Sequence, residues 1–146
     1  MILSLMVKAL NNIDETIKGF YVPWNNKHYI VNGFHAEEIN PYPICKNTGI
    51  LDKNDMYVYE YDLIKCTSFT DSFYAYAQWS EYEKRYVLRR FFEIGGFSDF
   101  SKYTIEVVGN VMLSDHDREV IERQEKKENM RESYIDNSYC PSCFKK

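Results

Sequence analysis

Residues 56–66, Met-Tyr-Val-Tyr-Glu-Tyr-Asp-Leu-Ile-Lys-Cys, decide the fold class. Successive side chains of an extended chain point to opposite faces. The odd positions of this stretch carry three tyrosines and Leu63, while the even positions carry Met56, Val58, Ile64 and Cys66 around two acids. An alternating run rich in aromatic and β-branched residues is typical of a β-strand. We therefore predict one long strand over residues 56–66.

Further short runs of β character extend from this strand in both directions. Residues 19–23 and 28–31 flank Asn25 and Asn26, an Asn-Asn pair that favours a hairpin turn. Pro41 and Pro43 cannot donate to a ladder, so they indicate a connection or a sheet edge. Three more strands are predicted over residues 73–79, 85–92 and 103–112. Short strands joined by turns predict a mostly β domain, either a small barrel or a strongly bent antiparallel sheet.

Helices are predicted at both ends of this β region. Apolar residues recur at spacings of three and four over residues 1–16, which favours an N-terminal helix. Ser114 and Asp117 have the spacing of a capping box, and a stretch dense in Glu, Lys and Arg follows. This charged helix has few apolar residues, so it either projects or docks on one narrow stripe. We expect an α+β chain with a β-rich domain over residues 1–113 and a helical extension over residues 114–146.

Composition limits the classes of function. The chain has 146 residues, a net charge of −4 and a pI of about 5.4. Neither part of the chain carries the basic face that phosphate binding requires, so nucleic acid is not expected as a direct ligand. The apolar residues 1–10 are too few to cross a membrane and are not followed by a cleavage site. We expect a cytoplasmic protein without a membrane association.

The four cysteines, Cys45, Cys66, Cys140 and Cys143, give the sharpest chemical signal. Cys140-Pro-Ser-Cys143 has the spacing of a zinc knuckle, in which two thiolates hold one side of a tetrahedral metal. Cys45 and Cys66 would complete an all-thiolate structural zinc site. Alternative ligands are His28, His35, His116 or the knuckle of a second chain. The competing interpretations are a free tail at residues 140–143 and core positions for Cys45 and Cys66.

No motif of a known catalytic site is present, and we predict that the protein is not an enzyme. Glu60 and Asp62 lie two residues apart and could form a carboxylate pair, but a structural role is the stronger interpretation. A tyrosine-rich sheet face favours core or protein interface over nucleic-acid stacking. A small basic cluster at Lys84, Arg85, Arg89 and Arg90, together with the zinc knuckle, would contact phosphates in a nucleic-acid role.

Three segments resemble the phage-encoded YopX family over residues 17–113. Residues 39–54 (INPYPICKNTGILDKN) and 58–65 (VYEYDLIK) are similar to the family's QYTGLKDKNG turn and IYEGDIVK strand. Residues 105–111 (IEVVGNV) are similar to its closing EVIGNIY strand. Lys46-Asn47 replaces the family's Gln-Tyr, Tyr61 replaces its Gly, and the ending NPELL is absent.

The resemblance implies a phage or prophage origin, a β-rich fold and no established catalytic residues. It also implies self-association as a family-level expectation, so a homo-oligomer is one of the expected states. We therefore expect a non-enzymatic accessory protein that binds a host protein in the cytoplasm of the bacterial cell. One concrete version is an anti-CRISPR-like inhibitor of a host defence nuclease. The alternative is a nucleic-acid-binding or regulatory module.

Overall fold

The computed structural model describes the backbone of residues 5–90 and 97–138, and the side chains of residues 5–90 and 98–127. This part of the chain is mostly β, with two antiparallel five-stranded sheets followed by an α-helix, which confirms the predicted β-rich class. The elements in chain order are β1 (Met6–Asn11), β2 (Thr16–Trp24), β3 (Lys27–Asn32), β4 (His35–Leu51), β5 (Tyr57–Tyr59), β6 (Asp62–Thr67), β7 (Ser72–Ser80), β8 (Arg85–Arg89), β9 (Phe97–Ser98), β10 (Thr104–Asn110) and α1 (Asp115–Ser138).

The first sheet closes on itself. Its strands follow the order β1-β2-β3-β4-β5, and β1 also pairs with β4, so the first four strands form a small barrel. Four buried side chains fill the interior: Val7, Ala9, Ile30 and Ile39. The predicted β2–β3 hairpin is confirmed, and Asn25 and Asn26 both have positive φ. Asparagine is one of the few residues that tolerate this conformation, which matches the right-handed twist of the flanking strands.

Strand β4 is long and pairs in turn with β3, β1 and β5. The β1–β4 register shifts between Ile39 and Ile44, and Pro41 and Pro43 lie in that interval. A proline cannot donate to a ladder, so the two prolines occupy the part of the strand where the pairing is interrupted. They mark an irregularity within one strand.

The predicted N-terminal helix over residues 1–16 is wrong for the described residues. Residues 6–11 form β1, and residues 1–4 lie outside the described part. Val7 and Ala9 point into the barrel, whereas Met6 and Leu10 on the opposite face pack against residues that join the two sheets. A strand that is covered on both faces has no alternation of polar and apolar residues, so its pattern resembles that of a helix.

The predicted single strand over residues 56–66 is also corrected. It is divided into β5 and β6 by a turn at Glu60 and Tyr61, and Tyr61 has a φ of 65°. A non-glycine residue in this left-handed region is uncommon. The two predicted faces are therefore not continuous across the turn.

The second sheet has the order β10-β6-β7-β8-β9, and a core cluster packs on each of its faces. The predicted alternation in residues 73–79 is confirmed for Phe73, Ala75 and Ala77, which pack in one core cluster. Tyr74 and Tyr76 face the other way, in the cluster that includes Ile121 of α1. Tertiary contacts thus place α1 over one face of the sheet.

Helix α1 begins as predicted and docks on a narrow stripe. The Ser114 hydroxyl accepts a bond from the Asp117 N–H at 3.3 Å, which satisfies a free donor at the helix N-terminus. The Gln124 side chain binds both the N–H and the C=O of Tyr74, each at 2.7 Å. At Tyr74, this amide therefore makes the two backbone hydrogen bonds that a neighbouring strand would make. Among the described residues, no helix is both long and apolar enough to cross a membrane.

Candidate functional site

A buried polar cluster lies where the barrel meets the second sheet. We call Lys8, Cys45, Tyr59, Asp62 and Asn110 the junction cluster; all five are at most 8% exposed. The residues come from β1, β4, β5, β6 and β10, so the cluster joins both sheets. Burial of polar groups is costly unless they are paired, and this cluster is therefore the chemically most distinctive place in the described structure.

Asp62 is the centre of the junction cluster. Its Oδ1 lies 2.6 Å from Lys8 Nζ and accepts a bond from Asn110 Nδ2 at 3.0 Å, and its Oδ2 accepts the Tyr59 N–H at 2.7 Å. Burial raises the pKa of Asp62, and the Lys8 charge and these donors oppose that rise. The Lys8 ammonium also lies 5.1 Å from the centre of the Tyr59 ring. The ion pair is thus enclosed by hydrogen bonds and an aromatic face.

Asn110 is held in one orientation by its neighbours. Its Oδ1 accepts the N–H groups of Met112 and Leu113 at 2.9 and 3.0 Å, while its Nδ2 donates to the Glu60 carbonyl as well as to Asp62. The Asn110 N–H donates to Asp117 of α1. Every polar atom of this side chain has a partner, so the amide is fully satisfied without a ligand.

Cys45 and Cys66 are both fully buried, in different core clusters. Cys45 packs with Tyr59 and Leu113, and Cys66 packs among apolar residues of the second sheet. Burial raises the pKa of each thiol to about 12, which favours the neutral form over the thiolate that binds zinc. This environment matches the core interpretation of these two cysteines.

The predicted zinc site with Cys45, Cys66, Cys140 and Cys143 stays a prediction, because Cys140 and Cys143 lie outside the described residues. Among the described side chains, those of residues 5–90 and 98–127, no three His, Cys, Asp or Glu residues are grouped so that they could hold a metal ion. Of the alternative histidine ligands, His28 binds the Tyr21 hydroxyl at 2.5 Å, and His35 and His116 are exposed.

Glu60 and Asp62 do not act on a shared centre. The Glu60 carboxylate accepts the Lys46 N–H at 2.9 Å and the Tyr86 hydroxyl at 3.2 Å, whereas Asp62 binds Lys8. Burial, followed by the Glu60 charge, raises the pKa of Tyr86 to about 12. The two carboxylates therefore tie different strands together, in agreement with the structural interpretation.

Two of the four residues in the basic cluster that supported nucleic-acid binding, Lys84 and Arg85, are paired with acids in the structure. Lys84 contacts Glu81 at 3.0 Å, and Arg85 contacts Glu83 at 2.7 Å and Asp99 at 3.3 Å. These ion pairs lower the local positive charge that phosphate groups would require. The structure adds no support to the nucleic-acid alternative.

The exposed aromatic surface is not the one that the sequence suggested. Tyr59 and Tyr76 of the tyrosine-rich stretches are buried. Instead, the outer face of β2 presents three apolar side chains, Phe20, Val22 and Trp24, which we call the β2 strip. They are 40%, 39% and 70% exposed. The only signal for this surface was the continuous apolar run Phe-Tyr-Val-Pro-Trp at residues 20–24, which does not show which face of the strand is covered.

The junction cluster was also missed by sequence reasoning as a cluster. Lys8 and Asp62 are 54 residues apart in the chain, and Asp62 and Asn110 are 48 residues apart. A single lysine within an apolar run, Lys8, was the one visible hint. No family model, no curated protein and no solved structure matches this chain.

Proposed function

We propose that this chain is a phage-encoded, non-enzymatic accessory protein that acts by binding another protein. The observation that carries the proposal is the β2 strip, which exposes Phe20, Val22 and Trp24 side by side. Isolated exposed apolar residues are common on protein surfaces, but adjacent large ones mark interaction sites. Aromatic residues of this kind dominate the binding energy of many protein interfaces.

The strip continues onto the neighbouring strand. Cross-strand partners share a face, and Phe20 pairs with Val31 while Val22 pairs with Tyr29. Both partners are half-buried, so the apolar surface is two strands wide. Lys27 lies opposite Trp24 and contacts Glu38 at 3.9 Å, which places charged groups at the rim. An apolar centre with a charged rim is the usual anatomy of a protein interface.

The rigidity of the barrel supports the same function. Two residues that alternate with the strip lie toward the barrel interior: Tyr21 packs against the barrel core, and Gly19 is buried. A Cβ at Gly19 would lie 2.6 Å from Asn32 and Ile30 side-chain atoms, so glycine is required for this packing. A strip on a closed barrel is held in place before a partner binds, which lowers the entropic cost of association.

The resemblance to the YopX family supports a phage origin within this proposal. The family has glycine at the position of Tyr61, and Tyr61 adopts the left-handed backbone conformation that glycine occupies easily. This chain therefore has a turn at the position where the family pattern has glycine, the residue best suited to that backbone conformation. This agreement concerns the backbone at one position and supports the YopX-like fold as part of the proposal.

The expected partner is a host protein, and an inhibitor of a defence nuclease of the CRISPR type is the concrete version. That version requires the chain to act in the bacterial cytoplasm. A structural zinc ion at Cys140 and Cys143 belongs to the same proposal. Elemental analysis should find zinc in the protein and lose it in a Cys140→Ser, Cys143→Ser variant; equal metal content in both would remove zinc from the proposal.

The test of the function is capture of a host protein with three baits. These are the wild type, a Phe20→Ser, Trp24→Ser variant of the strip, and a Phe69→Ser control. Phe69 is fully exposed in the β6–β7 hairpin, on the other sheet. The wild type and the control should retain a stoichiometric partner that the strip variant loses.

Affinity for the purified partner, measured by calorimetry, should fall about thirtyfold or more in the strip variant, which corresponds to about 2 kcal/mol for a hot-spot residue. If the partner is a nuclease, the wild type should inhibit its cleavage activity and the strip variant should not. No stoichiometric partner, or equal affinity in all three proteins, would contradict the proposed function.

A further inference from the structure

Three buried side chains of the junction cluster meet in an arrangement suited to a chemical reaction. Lys8 Nζ and Asn110 Nδ2 both bind the same oxygen, Oδ1 of Asp62, at 2.6 and 3.0 Å. The exposed fractions are 8% for Lys8, 4% for Asn110 and 0% for Asp62. An amine and a carboxamide are thus held against one carboxyl group away from bulk water.

We propose that Lys8 and Asn110 form an intramolecular isopeptide bond, with Asp62 as the group that carries the proton. The reaction is a single event on the chain itself, so it is compatible with a protein that turns over no substrate. It is independent of the β2 strip, which lies on other residues.

The reaction balances without an oxidant or a co-reactant. The Asp62 carboxylate takes a proton from the Lys8 ammonium, and the neutral amine attacks Cγ of Asn110. Asp62 then returns its proton to Nδ2, the Cγ–Nδ2 bond breaks and ammonia leaves. A second proton leaves Nζ for Asp62 or for the departing ammonia. The lysine ammonium and the asparagine amide become a secondary amide and ammonium.

The environment of Asn110 favours attack at its side-chain carbonyl. Oδ1 accepts the backbone N–H groups of Met112 and Leu113 at 2.9 and 3.0 Å. Two fixed donors at this oxygen stabilise the negative charge that develops on it in the tetrahedral intermediate. The leaving nitrogen lies 3.0 Å from Asp62 Oδ1, so the protonated carboxyl group is within reach to act as a general acid.

Packing around the three groups keeps bulk water away from them and holds them in contact. The Tyr59 ring lies 5.1 Å from the Lys8 ammonium, and Cys45 and Leu113 pack in the same cluster. A charged pair is less favoured in such surroundings than in water, and proton transfer within the pair removes both charges. Fixed neighbours also hold the reacting groups together, so the reaction avoids the entropic cost of an encounter.

The bond would join the first and last strands of the described β region. Lys8 lies in β1 of the barrel, and Asn110 ends β10 of the second sheet. A covalent connection between them closes a loop that contains nearly the whole β region. Such a loop lowers the conformational entropy of the unfolded chain and so stabilises the folded state. The barrel and the second sheet would then stay connected when the hydrogen bonds between them open.

Intact-mass spectrometry of the purified full chain tests this inference. The wild type should weigh less than its sequence by the mass of one ammonia molecule. Lys8→Arg keeps the positive charge but should have the full mass, and Asp62→Asn, which lacks the proton carrier, should also have the full mass. Circular dichroism shows whether the variants fold.

Tryptic mapping gives a result that does not depend on a variant. In the wild type, cleavage after Lys8 should be lost, and residues 1–18 should be recovered joined to residues 103–118, the fragment that contains Asn110. A full mass with two separate peptides would overturn the proposal. Loss of water instead of ammonia would place the bond at Asp62 rather than at Asn110. Loss of ammonia in Lys8→Arg would mean that another reaction causes the change in mass. Either outcome would also overturn the proposal.

Discussion

Asp52 connects the turn after β4 to β10, and its replacement gives a direct test of the fold. Its Oδ1 accepts the N–H groups of Asn54 and Met56 at 2.8 and 2.9 Å, and its Oδ2 accepts the N–H of Val107 at 2.9 Å. The residue is 6% exposed, so water cannot reach all three donors after the carboxylate is removed. We therefore expect Asp52→Ala to lower the free energy of unfolding substantially.

The size of the effect follows from the positions of the three donors. A hydrogen bond to a charged acceptor contributes about 1.5–3 kcal/mol, and we assign that range to the bond from Val107, which joins two distant segments. The two bonds within the turn contribute less, because their donors lie nearer to solvent. Together these bonds predict a loss of about 3–5 kcal/mol for Asp52→Ala.

Two further variants separate the contributions. Asp52→Asn keeps an acceptor for the turn but places an amide donor opposite the N–H of Val107, so it should cost about 1.5–3 kcal/mol. Asp55→Asn is the matched control, because Asp55 is exposed and has a φ of 59°, which asparagine tolerates. The control should stay within about 0.5 kcal/mol of the wild type.

The pH dependence gives a second, independent measurement. Burial alone would raise the pKa of Asp52, but the three N–H donors and Lys53 together hold it below its ordinary value. A lowered folded pKa means that the stabilisation is present above the unfolded pKa of about 3.9 and is lost as pH falls through the folded pKa. The difference between the wild type and Asp52→Ala should therefore shrink in acid.

Urea unfolding, followed by circular dichroism at several pH values, measures both effects. The reasoning would be refuted if the free energy of unfolding of Asp52→Ala stayed within about 1 kcal/mol of the wild-type value at pH 7, because the loss of one ordinary hydrogen bond would then explain the change. It would also be refuted if the difference between the two proteins grew as the pH was lowered.

Three further predictions concern the helix, the turn and the thiols. Gln124→Ala removes both hydrogen bonds to the β7 backbone and should cost about 1–3 kcal/mol, with faster hydrogen exchange in α1, whereas the exposed Lys126→Ala should change neither; equal exchange rates would contradict this docking. Tyr61→Ala should be less stable in urea than Tyr61→Gly by about 1 kcal/mol, the reverse of the usual order, because the backbone there is left-handed; the usual order would show that the turn differs. Cys45 and Cys66, whose buried thiols have pKa values of about 12, should resist alkylation at pH 8 in the folded protein and react after unfolding; rapid labelling of either peptide in the folded state would disprove their burial.

Much of the local structure could be predicted from the sequence. The Asn25-Asn26 hairpin, the alternation in β7 and the start of α1 at Ser114 all depend on residues close together in the chain, whose effects are local. The errors arose where tertiary burial changes the pattern. Strand β1 looks helical because both of its faces are covered, and Tyr61 hides a turn because tyrosine does not signal a positive φ.

The candidate sites show the same division. Cys140-Pro-Ser-Cys143 is a local motif that can be read directly from the sequence, and zinc binding at this motif remains a prediction. The β2 strip was visible only as part of a continuous apolar run, since exposure depends on which face of the strand the barrel covers. Residue type and spacing indicate what chemistry a side chain can do, but not what surrounds it.

The sequence by itself determined the β-rich class, the terminal charged helix and the acidic balance that disfavours phosphate binding, because composition and short-range periodicity carry that information. Only the tertiary structure decided that β1 completes a barrel and that Lys8, Asp62 and Asn110 meet in one buried place. Contacts between residues about fifty positions apart depend on how the sheets pack, and no periodicity along the chain records that packing.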